Sequence, residues 1–458
     1  MDSQKSLRPY QKDDVNFLVK HPCTGCFNEQ RTGKTPTALM TVKERGLEDT
    51  RVLVITTSSA LYQWKNEYST WLNRPCIVVD GAPKKKEETI QNWTHGLIIS
   101  YGSIKETSTR EGHVKEILKK QPTMVILDEA HTIRNPRTWV AKTIFKLTKI
   151  PYRLALTGTP AYGEAKDVFS ILKFLFPDRF NSAYKFYEEY FKPDTIFIGF
   201  GKTKTEYKYF LPGKEKQLQA FMNQYCTQRK RKDVMQWLPK KDKEIVKLPL
   251  TTQQKKYLTE LKNSYQTEDI ITQGVLDRLI RYRQICLDPG ILDLKSKSPK
   301  TQWILDFIDE NPSTPVIIFS NFTQYIHRLT DTFRAKNILF SAIVGEVAPK
   351  VREEYVRDFQ EGKYNVLIIN TMSGKEALTL DRAEAIIFTD VFPPIGAIEQ
   401  AEDRFVATTE AKKDKPHVIY NLVMADSFDE DIIKLLQERK TETEVINNFR
   451  SSLERSSE

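Results

Sequence analysis

Short unbroken apolar runs recur along the chain, each followed by sequence with the wider spacing of a helix face. In the first half they are Val52–Ile55, Ile77–Val79, Leu97–Ile99, Val125–Leu127 and Leu154–Leu156. In the second half they are Val316–Phe319, Val366–Ile369, Ile386–Phe388 and Val418–Tyr420. Continuous runs, rather than strict alternation, mark strands covered on both faces, as in parallel sheets. The stretches between them are long enough for βα crossovers. The pattern therefore predicts an α/β protein of two doubly wound parallel-sheet lobes.

Between the two sets, over about 165–235, the runs give way to helical, aromatic and basic sequence such as Phe169–Phe176 and Tyr184–Phe191. This reads as a helical insertion followed by a linker. It divides the chain into an N-terminal lobe, 1–243, and a C-terminal lobe, 244–458. Near the end, Ser427 and Glu430 spell a capping box ahead of Ile432, Leu435 and Leu436, which predicts a C-terminal helix. The stretch from Arg450 to Glu458 is expected to fray.

Composition narrows the class. A chain of 458 residues is too long for one core, and 40% hydrophobic residues suffice to fill two. No apolar run approaches the length that crosses a bilayer, and the N-terminus passes from Met1 to Ser6 straight into structured-looking sequence. An intracellular, cytoplasmic protein without membrane contact is expected. Five cysteines, an odd number thinly spread, fit a reducing compartment. Cys23 and Cys26 form a C-x-x-C, yet no second pair follows at ligand spacing, so a structural role is expected. Seventy basic against 60 acidic residues give a net charge of +10 on a mixed surface. That balance favours a polyanionic partner without identifying one. Runs such as Lys84–Lys86 and Arg229–Lys232 read first as solvated faces.

Three motifs carry chemistry. Asn28-Glu29-Gln30-Arg31-Thr32-Gly33-Lys34-Thr35 ends as a phosphate-binding loop does. Backbone N–H groups, a lysine and a hydroxyl for Mg²⁺ stand there at a helix start, with Pro36 in the first turn. The usual first glycine is replaced by Asn28. Val125–His131 is a buried strand ending in Asp128-Glu129, one carboxylate to hold Mg²⁺ and one to orient the attacking water. Leu154–Pro160 is another strand running into a turn, through Thr157 and Gly158. All three fall at carboxyl ends of predicted strands, where open α/β sheets bind ligands. Tyr62, Trp64 and Trp71 lie near one another, and their spacing with Leu61 and Leu72 favours packing over base stacking.

Together these motifs resemble the motor of superfamily-two helicases, and specifically the Swi/Snf-like DNA translocases. Leu7-Arg8-Pro9-Tyr10-Gln11 is similar to that family's adenine-side motif and Val52–Trp64 to its motif Ia. Asp128–Asn135 resembles the extended DEAH box, Phe169–Pro177 the helical segment after motif III, and Gln228–Leu238 the basic linker. Leu279–Pro289 is similar to the Arg-Gln-Ile-Cys helix, Val316–Phe322 to motif IV, Asn370–Leu380 to motif V and Gln400–Arg404 to motif VI. The likeness runs from Leu7 to about Asn448.

The resemblance implies two RecA-like lobes with ATP and Mg²⁺ in the cleft between them. Gln11, Arg31, Thr32, Gly33, Lys34, Thr35 and Gln400 would bind the nucleotide, with Thr35 and Asp128 on the metal. Lys34, Asp128, Glu129 and Arg404 would carry catalysis. DNA, expected to be double-stranded, would meet Thr56, Ser58, Thr157, Gly158, Ser320, Asn321 and Thr371, mainly through its phosphates. The expected molecule is a monomeric bare motor whose target a protein partner sets. Three positions depart from the family pattern: Arg31 replaces a glycine, Gly374–Leu380 replaces a glycine-rich motif V, and Ala407 replaces a second arginine of motif VI. Lys375, or Lys412 or Lys413, is a candidate to restore that charge. Two alternatives stay open, a strand-separating helicase on DNA or RNA and a weakly hydrolysing, nucleotide-switched DNA-binding scaffold.

Overall fold

The computed structural model describes residues 6–109, 112–158, 160, 165–197, 203–235, 241–263, 274–371, 380, 382–392, 398, 402, 417–438 and 442–454. The chain divides into two compact units, 1–236 and 237–458. The first holds a seven-stranded sheet built from β1 (Cys23–Cys26), β2 (Val52–Thr56), β3 (Cys76–Val78), β4 (Gly96–Ser100), β5 (Met124–Leu127), β6 (Tyr152–Leu156) and, beyond an intervening hairpin, β9 (Cys226–Thr227). Its order is β3-β4-β2-β5-β6-β1-β9, every pairing parallel. The hairpin is an antiparallel ribbon of β7 (Phe191–Phe197) and β8 (Thr203–Phe210).

The second unit carries β10 (Lys241–Leu248), β11 (Val316–Ser320), β12 (Phe340–Ile343), β13 (Val366–Asn370), β14 (Ala385–Phe388) and β15 (His417–Met424). They form a parallel sheet in the order β10-β15-β14-β11-β13-β12. The expected lobe boundary at 243/244 falls inside β10.

Both faces of each sheet are covered, as unbroken apolar strands require. In the second unit Val316 and Ile318 face one apolar cluster while Ile317 and Phe319 face another. In the first, Leu53, Ile55, Val125 and Leu127 enter one cluster, and Val52, Val54 and Ile126 are equally buried on the other side. Each such side chain contributes roughly 1.5–3 kcal/mol by leaving water. All five cysteines are buried and unpaired, Cys23 and Cys26 as members of β1. Among the described residues no helix is long and apolar enough to cross a membrane.

Three local expectations change. The insertion contains the β7–β8 ribbon besides helices, packed through Phe191 and Phe210, whose rings stack at 4.5 Å. Ser427 caps the helix Phe428–Gln437 by accepting from the Asp429 N–H, and Glu430 pairs with Lys247 at 2.7 Å, so no capping box forms. The chain does not fray at Arg450: a helix runs Glu442–Glu454, with Phe449 and Leu453 packed against Leu279, Phe428 and Ile432.

Candidate nucleotide-binding site

The order β2-β5-β6-β1 sets the carboxyl ends of four strands side by side, and each leads into one motif. Register keeps these ends level: Ile55 lies beside Leu127, Leu127 beside Ala155, and Leu156 beside Cys26.

From β1 the chain enters the phosphate loop. Arg31 has φ 62° and Gly33 φ 78°, two left-handed residues that fold the loop back onto the helix Lys34–Glu44. The glycine expected by resemblance at Arg31 thus has a backbone reason, and an L-residue there costs about 1–2 kcal/mol. At Gly33 a Cβ would lie 2.0 Å from the Gln11 amide nitrogen. Gln11 is buried and holds the loop in place of that side chain. Its Nε2 donates to the carbonyls of Thr32 (3.1 Å) and Gly33 (3.4 Å), while its Oε1 accepts from the Arg8 N–H at 2.8 Å. The Thr32 hydroxyl donates to the Glu29 carbonyl at 2.8 Å. Lys34 points its ammonium inward, donating to the carbonyls of Asn28 (3.1 Å) and Glu29 (3.2 Å). Thr35 stands half-buried in the first helical turn.

Asp128 and Glu129 follow β5. Asp128 Oδ2 accepts from the Thr56 hydroxyl at 2.7 Å and the Trp64 indole N–H at 2.8 Å, and the Tyr101 hydroxyl donates to its carbonyl at 2.7 Å. Burial, then the adjacent Glu129 charge, raises the Asp128 carboxyl above its ordinary value; the bonds from Trp64 and Thr56 and the Lys34 charge pull it back. Glu129 adopts φ 47°, which turns its side chain away from the strand direction. Burial alone would raise its carboxyl, but His131, Lys34 and the amide of Gln30, which donates at 3.2 Å, hold it down to about 2. His131 Nδ1 lies 3.2 Å from both Glu129 Oε2 and the Thr157 hydroxyl. One ring N–H cannot serve both well, and Glu129 Oε2 is left buried without a hydrogen bond. Gly158 permits close approach here, since a Cβ would stand 3.3 Å from the Gln30 nitrogen.

The DNA-facing candidates divide. Thr56 and Thr157 are buried and their hydroxyls are engaged with Asp128 and His131. Ser58 opens the short turn Ser58–Ala60 beyond β2. In the second unit Ser320 is fully buried, and its hydroxyl and the Asn321 amide groups bond Asp390. Arg283 pairs with the same carboxylate at 2.8 Å and stacks on Phe392 at 4.0 Å. Thr371 is buried and its N–H donates to the Ser320 carbonyl at 3.0 Å. Gln400, Arg404, Ala407, Lys375, Lys412 and Lys413 lie outside the described residues.

Trp64 enters this site as more than packing, and Gln30, Tyr101, Asp14 and Arg229 join it unforeseen; in the second unit Asp390 is the unforeseen partner of Ser320, Asn321 and Arg283. Asp14 did carry a signal. It sits on the buried face Gln11, Val15, Leu18 of the helix Pro9–Leu18, where a carboxylate needs a partner.

A phosphate loop and an acid pair at the carboxyl ends of β1 and β5, strands of one parallel sheet with β6 between them, and a second parallel lobe following, is the organisation of helicase-type nucleotide-binding proteins. The chain belongs to the SNF2-related family: the SNF2-related domain matches residues 10–291 and the helicase conserved C-terminal domain 299–406. It is 25% identical over 470 residues to an uncharacterized ATP-dependent helicase of Mycoplasma pneumoniae, covering 97% of this chain and 43% of that one. The ISWI chromatin-remodeling complex ATPase ISW1 of Saccharomyces cerevisiae is 26% identical, covering 98% and 41%. The DNA repair and recombination protein RAD54-like of Drosophila willistoni is 22% identical, covering 98% and 64%. The chain thus spans less than two thirds of the length of these relatives. A solved Sulfolobus solfataricus SWI2/SNF2 ATPase core in complex with dsDNA is 23% identical, covers 95% of this chain and 91% of its own, and has a TM-score of 0.45.

Proposed function

We propose that this chain is an ATP-driven motor that moves along double-stranded DNA and remodels DNA or protein–DNA complexes. The observation that carries this reading is the convergence of Lys34, Asp128 and Glu129 at level strand ends, with Asp128 tied by Thr56 and Trp64 to the motif Ia segment. Membership in the SNF2-related family supports it, as do relatives that act in chromatin remodelling and in DNA repair.

Mg²⁺ fits the residues present. Among the described residues no group of three or more His, Cys, Asp or Glu forms a protein cage. Mg²⁺ accepts one or two protein oxygens and completes its shell with water and phosphate. Asp128 and the Thr35 hydroxyl would hold it, and when bound it would neutralise charge on the phosphates. Lys34, freed from the Asn28 and Glu29 carbonyls, would turn its ammonium to the β- and γ-phosphates. Glu129, ionised at neutral pH, would orient the attacking water. Gln11 would keep the loop closed from the adenine side. Arg31 and Thr32 would present backbone N–H groups, and Gln400 and Arg404 are proposed as further nucleotide contacts. Buried Thr56, Thr157, Ser320 and Thr371 would act on DNA through the backbone they hold, leaving Ser58, Gly158 and Asn321 as the nearer contacts. We further propose that one copy suffices and that a protein partner selects the target.

ATPase rates with no nucleic acid, single-stranded DNA, duplex DNA and RNA test the proposal, together with strand- and triplex-displacement assays. Duplex DNA should stimulate most, with triplex but not duplex strands displaced. Equal stimulation by RNA, or strand separation, would favour an unwinding helicase. Binding should weaken steeply with salt as phosphate contacts release counterions, and a flat response would contradict tracking on phosphates. Lys34→Ala should abolish turnover.

A further inference from the structure

The phosphate loop is held from behind by a segment distant in sequence, with Arg231 lying 202 positions beyond Glu29. Strand β9 pairs with β1 through Gly25–Cys226 and Cys26–Thr227, and the ladder continues beyond both strands. Phe27 N–H donates to the Thr227 carbonyl at 2.8 Å and Glu29 N–H to the Arg229 carbonyl at 2.9 Å. The Arg231 N–H then donates to the Glu29 carboxylate at 2.7 Å. The basic segment Gln228–Lys232 therefore forms one wall of the loop, and its chain leads on into the second unit.

Side chains lock the same wall. Asp14, fully buried, accepts from Arg229 Nε at 2.9 Å on one oxygen and from Asn28 Nδ2 at 2.7 Å on the other. Asn28 is itself buried, and its Oδ1 has no hydrogen-bond partner, so among the described residues Asp14 is the anchor of its side chain. The Asn28 carbonyl in turn receives the Lys34 ammonium. A contiguous path runs Arg229–Asp14–Asn28–Lys34, from a partly exposed cation to the group that grips phosphate. Asn28 occupies the place where a phosphate loop ordinarily begins with glycine, and its side chain ties that position to Asp14.

We propose that Asp14, Asn28 and Arg229 are positioning residues that latch the phosphate loop, so that its grip on nucleotide depends on where the basic segment lies. The inference rests on the nucleotide-binding reading above. An unpaired Asp14 would keep a buried charge and recruit Asn28 differently, and a displaced Arg229 would free the loop wall. Movement of the basic segment would reach Lys34 without touching the nucleotide.

The test is equilibrium binding of fluorescent ADP with Mg²⁺ to the full chain, with thermal melting to establish folding. Arg229→Gln and Asp14→Asn should each weaken binding about tenfold, and the double variant should lose little more, because the residues act as one unit. The swap Asp14→Asn with Asn28→Asp moves the negative charge one residue along the chain of hydrogen bonds. Arg229 then donates to the amide oxygen introduced by the first substitution, and the amide nitrogen beside it donates to the carboxylate introduced by the second. Affinity should return to within about twofold of the parent. Folded single variants that bind ADP like the parent would overturn the latch, as would additive losses or a folded swap without rescue. A parent that binds no ADP with Mg²⁺ would instead overturn the nucleotide-binding reading itself.

Discussion

Replacing Trp64 by phenylalanine isolates one bond at the proposed metal carboxylate. The ring is 2% exposed and phenylalanine keeps most of its packing, so the main loss is the N–H that Asp128 Oδ2 accepts at 2.8 Å. A hydrogen bond to an ionised acceptor contributes about 1.5–3 kcal/mol. Because Thr56 still donates to the same oxygen at 2.7 Å, the lower end applies. About 1.5 kcal/mol corresponds to about a tenfold rise in the Mg²⁺ concentration needed for half-maximal ADP binding. Thr56→Val removes the other donor at nearly constant volume and should act similarly. The double variant leaves the buried carboxylate without either side-chain donor, and its loss should exceed the sum of the single losses. Mg²⁺ titrations of ADP binding, with melting curves as a control on folding, give the numbers. If Trp64→Phe folds normally and keeps the parent's Mg²⁺ dependence, the bond does not position Asp128.

Other perturbations bear on separate residues. Glu129→Gln should bind nucleotide yet stop hydrolysis in a phosphate-release assay, since it spares Asp128. The Glu129 carboxyl sits at about 2 when folded against 4.5 otherwise, so its ionisation favours the folded state above about pH 4.5, and that contribution fades as pH falls towards 2. Glu129→Gln should therefore melt earlier at pH 7, less so to the extent that the Asp128 repulsion is relieved, with the gap closing across that acid window. Arg283→Met, followed by urea unfolding, should cost about 3 kcal/mol by leaving Asp390 buried without its cation, while Asp390→Asn with Arg283→Met should recover part of that loss. Ala407→Arg should raise kcat more than it changes KM in steady-state assays with saturating duplex DNA, because the added charge acts on the transition state.

Most strands of both sheets were legible because burial on two faces forces continuous apolar sequence. The ones that escaped notice lie at edges or lack apolar content. Strand β10 reads Lys-Asp-Lys-Glu-Ile-Val-Lys-Leu, and its place at the edge of the sheet lets charged side chains reach water. Strand β9 has two residues, too few for any periodicity, and only its pairing with β1 reveals it. In the site, Lys34, Asp128 and Glu129 could be named because their spacing is local. The partners of Asp128 could not, since Trp64 is 64 positions away and an indole that donates looks in sequence like one that only packs. Asn28 was visible as a missing glycine, but the residues that anchor its side chain, Asp14 and through it Arg229, are 215 positions apart.

The place of β1 in its sheet has a consequence for synthesis. It leaves the ribosome early, yet its two neighbours are β6 at Tyr152–Leu156 and β9 at Cys226–Thr227. Strands β2 to β5 can pair among themselves while β1 waits, because loop closure across so many residues is slow and contacts form only when both sides exist. The phosphate loop is then the last part of the first unit to take shape. A nascent chain halted before Arg229 should already protect β2, β4 and β5 from protease yet hold no nucleotide, and a short extension past that residue should let it do so.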